Sequence, residues 1–166
     1  MIERPFRESD AEEIAALVRA CDETYRDWLP PGWTPPEVHA DWASRFVEPD
    51  RWTMIVEDEG AIVGVASFRQ AYEGVPPAAY GAALPGVAHV GAVFVAPSHW
   101  RRGIAKRMLA LAEASMRERG FGRAILWTPD GAPAEKLYSA LGWERDGRRM
   151  WHGWVGVWVV GYAKRL

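Results

Sequence analysis

Cysteine is almost missing from this chain of 166 residues: Cys21 is the only one. A single thiol excludes an intramolecular disulfide framework and fits a reducing cytoplasm. Its spacing from Ile14, Leu17 and Val18 puts it on the apolar face of a helix, where a buried core thiol is the expected role. No apolar run is long enough to span a bilayer, and "MIERPFRESDAEEIAAL" is too charged for a signal peptide. A cytoplasmic protein without membrane contact is therefore expected. The chain also lacks an excess of one charge, with 20 Lys and Arg facing 22 Asp and Glu and a formal charge of −2. General nucleic-acid binding is thereby disfavoured, so any basic site must be local. His39, His99 and His152 show no metal-ligand spacing with one another or with Cys21, and no metal is expected. Repeats, low-complexity tracts and linkers are missing as well, which predicts one domain over residues 1–166.

What is present is core-forming material: 49% of the residues are hydrophobic and ten are tryptophans. So many flat side chains suit both a core and a site that grips something apolar. A short strand at "MIERPF" leads to Ser9, an N-cap with Glu12 in capping-box position, and a helix with Ile14, Leu17, Val18 and Cys21 on one face. "LPPGWTPP" breaks it, and a second helix is expected from about Pro36 to Phe46. "RWTMIVEDEGAIVGVASFRQA" reads as two strands around a turn near Glu57–Gly60. Residues 73–87 read as a loop, and "AHVGAVFVA" as a buried strand with Gly91 as a plausible bulge. A helix from about Arg102 to Arg119, the strand "GRAILWT", the short helix "APAEKLYSALGW" and two strands near "RRMWHGW" and "VGVWVVGYAKRL" complete the chain. The order β-α-α-β-β-β-α-β-α-β-β predicts an α/β (α+β) fold, a mixed sheet of about seven strands with helices on both faces.

One stretch carries more than fold. In "VAPSHWRRGIAKRML" an apolar strand stops at Pro97, and arginines and a glycine open an amphipathic helix. The first N–H groups of a helix have no partner within it, and its dipole adds about half a positive charge there. Gly103 and Ala105 admit close approach, while Arg101, Arg102, Lys106 and Arg107 add charge. These are the components of a phosphate cradle. A dinucleotide fingerprint is excluded by the single glycine, and a nucleotide-triphosphate loop by the missing Lys-Ser/Thr pair. A capped, solvated helix end remains the bland alternative.

"VFVAPSHWRRGIAKRML" resembles the acetyl-CoA segment of the GCN5-related N-acetyltransferase (GNAT) superfamily, Gln/Arg-x-x-Gly-x-Gly/Ala. Arg102, Gly103, Ile104 and Ala105 match its second half, and Trp100 stands where Gln or Arg is usual. "APAEKLYSALGWERDG" is similar to the family's Asn-x-x-Ala-x-x-x-Tyr-x-x-x-Gly-Phe through Ala134, Tyr138, Gly142 and Trp143, with Gly131 in the place of Asn. The element order, over nearly the whole chain, is also the family's.

The resemblance implies an N-acetyltransferase that uses acetyl-CoA as cosubstrate, with direct attack of an amine in a ternary complex. Val93, Phe94 and Val95 would pair with the pantetheine amides, and the backbone of Arg101, Arg102, Gly103, Ile104, Ala105 and Lys106 would hold the diphosphate. A fourth-strand N–H would face the developing oxyanion. Tyr138 matches the family's general acid, although its helical face also suits plain core. His89 stands where many members place a base and reads equally as a structural histidine. Tyr25, Trp28, Trp33, Tyr80, Trp151 and Trp154 could line an aromatic acceptor pocket, with Asp22, Glu23, Asp27 and Asp41 nearby to draw a cation. The expected partner is a small-molecule amine of moderate charge, with no nucleic acid or membrane; a homodimer, a protein N-terminus or lysine as acceptor, a hydroxyl acceptor, a longer acyl group, and a non-catalytic CoA-binding module stay open.

Overall fold

The computed structural model describes residues 1–38, 44–74 and 81–166. Its strands are β1 (Ile2–Pro5), β2 (Trp52–Asp58), β3 (Ala61–Tyr72), β4 (Ala83–Val95), β5 (Arg123–Pro129), β6 (Glu144–His152) and β7 (Val157–Arg165), and its helices are α1 (Ala11–Glu23), α2 (Ile104–Glu118) and α3 (Ala134–Ala140). The strands form one seven-stranded sheet in the order β1-β2-β3-β4-β5-β7-β6. Only β4 and β5 run parallel among these neighbours, as the intervening α2 crossover requires.

Three local expectations are corrected. The N-cap of α1 is not built on Ser9: a 3-10 turn over Glu8–Asp10 precedes the helix. Asp10 instead accepts the Arg7 N–H at 2.7 Å and a two-pronged contact from Arg4 at 2.7 and 3.0 Å. A buried carboxylate with three charge-strengthened donors is a firmer stop than a serine hydroxyl. Residues 83–87, expected as loop, belong to β4. The register jumps between Gln70 and Tyr72, and the Gln70 amide donates to Leu84 O at 2.6 Å and Val87 O at 3.2 Å. That irregularity is what admits Pro85 into a strand. Of the second expected helix, about Pro36 to Phe46, residues 39–43 lie outside the described residues, while Pro36–Val38 carry no helix and Ser44–Val47 form a 3-10 turn.

Gly91 does form a bulge: Ser67 pairs with Ala92 and Phe68 with Val90, so Gly91 is the extra residue. One extra residue exchanges the two faces of a strand. Before it, Ala88 and Val90 pack with Leu109 of α2; after it, Ala92 and Phe94 pack with Ile14 and Val18 of α1. The exchange puts His89 and Phe94 on the same wall.

Candidate active site

The β4–β5 ladder stops at Val90 paired with Leu126, while β5 continues beside β7 to Pro129. Beyond the bulge, therefore, β4 and β5 part and leave a gap in the sheet. The Ala96 N–H donates to Val63 O at 2.9 Å. By antiparallel alternation Phe94 also directs its backbone to β3, while Val93 and Val95 turn theirs to the gap. Of the three residues expected to offer backbone to a pantetheine arm, Phe94 is thus corrected: its amide belongs to the ladder and its side chain to a cavity wall. The Val95 carbonyl is also taken, by the Trp100 indole N–H at 2.7 Å and the Cys21 thiol at 3.2 Å. Trp100, unusual at this position of the motif, thereby ties the loop to the strand end. The Cys21 thiol, pushed up to about 12 by burial and by Asp22, is inert.

Past Trp100 the backbone turns through two left-handed residues, Arg101 at φ 61° and Gly103 at φ 79°. Arg107 is the first residue of α2 whose N–H reaches a carbonyl, Gly103 O at 3.0 Å. Among the described residues, none of the N–H groups from Arg101 to Lys106 has a protein acceptor. Arg101, Arg102 and Lys106 are ungrouped cations in the same sense, whereas Arg107 is paired with Glu3. At Gly131 the backbone adopts φ 85°, and its N–H goes to Glu135 at 2.7 Å, which caps α3 from within.

Tyr138 of α3 is only 7% exposed, with its ring 5.8 Å from Tyr162 and 6.3 Å from Trp143. Burial, then Tyr162, pushes its phenol up to about 12, so it stays protonated at any working pH. Among the described residues its hydroxyl has no hydrogen-bond partner, a deficit of about 1–3 kcal/mol if nothing else fills it.

On the α1 side of the gap lies a cavity of about 210 Å³, which includes Asp22, Tyr25, His89, Phe94, Trp127 and Trp154 in its walls. A second, of about 230 Å³, shares Arg69, His89 and Trp127 with it. Tyr25, Trp28 and Trp33 form one aromatic group, with centroids 4.9 and 5.9 Å from Tyr25, and the Trp33 indole donates to Val155 O at 2.9 Å. Of these three only Tyr25 is in the cavity wall, and Tyr80 lies outside the described residues. Tyr25 is raised by burial, then by Asp22 and Tyr138, so the α1 face and α3 meet electrostatically across the gap. His89 is half-buried and lowered to about 4 by burial and then by Arg69, Arg51, Arg148 and Arg45. The arginines and Trp127 were not singled out for the site from sequence: they come from separate strands, and only sheet register gathers them.

A sheet that parts beside a helix mouth lined with free N–H groups defines a class before any comparison is made. A family model described as "Acetyltransferase (GNAT) family" matches residues 18–143. The chain belongs to that family and is an acyltransferase of it. Among solved structures it resembles a ribosomal-protein-alanine N-acetyltransferase from Brucella melitensis, at TM-score 0.74 and 21% identity over 100% of both chains. It also resembles a PaiA N-acetyltransferase from Thermoplasma acidophilum in complex with coenzyme A, at TM-score 0.75 and 14% identity over 99% of this chain and 98% of that one. An aminoglycoside 6'-N-acetyltransferase complexed with coenzyme A gives TM-score 0.71 and 15% identity over 99% and 97%. No curated protein matches the chain in sequence.

Proposed function

We propose that the protein transfers an acetyl group from acetyl-CoA to the primary amine of a small molecule, by direct attack while both are bound. The observation that carries this reading is the uninterrupted run of unpartnered N–H groups from Arg101 to Lys106, beside three cations without an ion pair among the described residues. Such a run at a helix start fits a diphosphate, because the donors are fixed before the ligand arrives. The Val93 carbonyl and the Val95 N–H face the gap, at strand spacing, and suit the amides of a pantetheine arm. Acetyl-CoA supplies the acetyl group as an activated thioester. The Val93 N–H is the donor available to charge that develops on the carbonyl oxygen. Tyr138 holds a proton that a departing thiolate needs, and the orphaned state of its hydroxyl fits a partner that arrives with substrate.

His89 is the weaker candidate for the base. An imidazole held near 4 is neutral at working pH, yet has little affinity for the proton of an ammonium.

The test follows CoA thiol release with a panel of amines. Tyr138→Phe should lower kcat on the order of 100-fold while the acetyl-CoA Kd stays within about threefold. An unchanged kcat would remove the acid role, and no release with any amine by a protein that binds no acetyl-CoA would remove the reading itself.

A further inference from the structure

The last turn of α1 is fastened to the end of β4. Cys21 donates its thiol to the Val95 carbonyl at 3.2 Å, which holds the next residue, Asp22, beside the place where the sheet parts. Val18, Asp22 and Tyr25 recur at helical spacing, and all three stand in the wall of the cavity on this side, with Gly91 and Phe94 of β4. Asp22 is 7% exposed, and among the described residues its carboxylate has no ion pair and no hydrogen bond. It is also the one acidic side chain of that wall among the described residues. A buried carboxylate without a partner weakens the fold, and packing gives no reason to keep it. A cation that arrives with the substrate would satisfy it. Resting on the acetyltransferase reading above, we propose that Asp22 is the general base: it receives the ammonium of a monoamine with an apolar body and takes the proton that must leave before nitrogen attacks.

The rest of the wall favours that class of acceptor. Phe94, Trp127 and Trp154 offer broad aromatic surface to an apolar or planar body. The cations of the wall are Arg45, Arg51 and Arg69, and none of them pairs with Asp22. Arg51 and Arg69 meet on one Glu48 carboxylate oxygen, at 2.9 and 3.3 Å. Three guanidiniums in one wall disfavour a second ammonium beside them. Burial, then Glu23, brings Asp22 up to about 7, so near neutrality it exchanges a proton readily. Its neighbours Cys21 and Tyr25 are raised and stay neutral. His89 and His152, elsewhere in the wall, are both lowered and uncharged at neutrality. After burial, the groups that raise Tyr25 are Asp22 and then Tyr138, which fits a base and an acid on either side of one gap.

The step balances. Asp22 as carboxylate takes one proton from the ammonium, and the freed lone pair forms the C–N bond to the acetyl carbonyl carbon. The C–S bond breaks, its electron pair leaves on sulfur, and sulfur takes the phenolic proton of Tyr138. The second proton shed by nitrogen restores the phenol, Asp22 passes its proton to water, and one proton is released per turnover.

The experiment uses the full chain with saturating acetyl-CoA at pH 8 and two acceptors of one shape. Phenethylamine arrives as an ammonium, whereas fluorine on the carbon beside the amine-bearing one leaves β,β-difluorophenethylamine largely unprotonated. Asp22→Asn should lower kcat on the order of 100-fold with phenethylamine and at most about fivefold with the difluoro analogue, which needs no base. The inflection near pH 7 in kcat/KM for phenethylamine should vanish in the variant. The variant should also melt no lower than the parent at pH 8, because it loses an unpaired buried charge. Equal losses with the two amines, or a lower melting temperature with no split between them, would assign Asp22 to the fold and overturn the base role. A parent that prefers putrescine to phenethylamine overturns the acceptor class. Calorimetry with acetyl-CoA alone separates the failures: binding without use of phenethylamine sinks this inference only, and no binding sinks the acetyltransferase reading on which it rests.

Discussion

At the scale of single residues, Asp22 and His89 oppose each other in the pH dependence of stability. The folded chain keeps the Asp22 proton up to about pH 7, whereas an unfolded aspartate loses its proton near 3.8. The unfolded state then binds fewer protons over that window, so Asp22 makes the fold less stable as pH rises from about 4 to 7, by at most about 4 kcal/mol. His89 works the other way. Its folded value lies near 4 and its ordinary one at 6.5, so stability is lost as pH falls through that interval. Its share is smaller, since the ring is only half-buried. The two slopes oppose each other in the parent between about pH 4 and 6.5, and single substitutions should unmask them. Urea melts of Asp22→Asn should show stability rising with pH between 4 and 6.5, and those of His89→Gln should show it falling between 4 and 7. Curves parallel to the parent's in either variant would mean that the group titrates as it does in water.

At the scale of elements, the mouth of α2 is set by how close that helix lies to β3. A Cβ placed at Gly64 would stand 3.2 Å from Met108 Sδ and 3.4 Å from Ile104 Cγ2. Both are in the first turns of α2, so glycine at 64 lets the helix settle onto the sheet and fixes its N-terminus beside the strand gap. Gly64→Val should cost about 1–3 kcal/mol by overpacking and should weaken acetyl-CoA binding in parallel. A melting temperature that falls while calorimetric affinity holds would show that the cradle does not depend on this packing. Much at this scale was legible in the chain itself. The phosphate segment, the Tyr138 helix and the Gly91 bulge are written in consecutive residues, where punctuation by glycine, proline and apolar spacing is strongest. What was illegible depends on register. Arg51, Arg69 and Trp127 meet only because β2, β3, β4 and β5 align, and Pro85 enters a strand only because Gln70 bridges the bulge. Phe94 misled for a similar reason, since which residues of a strand face a gap is set by a parity that only the ladder fixes. Asp22 was visible as one of four nearby acids, but burial alone distinguishes it from its exposed neighbour Glu23.

At the scale of the whole molecule, the sheet and α2 together make a site whose charge is local. The net charge is −2, yet Arg101, Arg102 and Lys106 stand together without an ion pair among the described residues. A ligand that binds only the folded state adds RT ln(1 + [L]/Kd), about 2.7 kcal/mol at a hundredfold excess over Kd. In a domain of this size that corresponds to about 5–10 °C in melting temperature. Acetyl-CoA should give a rise of this order, and duplex DNA none, because a net charge of −2 disfavours general binding to a polyanion. Exposed cations on a diphosphate are screened by salt. The rise should therefore shrink when sodium chloride is raised at fixed acetyl-CoA, and Arg102→Ala should shrink it further at low salt. A rise indifferent to both would put the diphosphate away from α2, on some surface where neither the free N–H groups nor these cations can reach it.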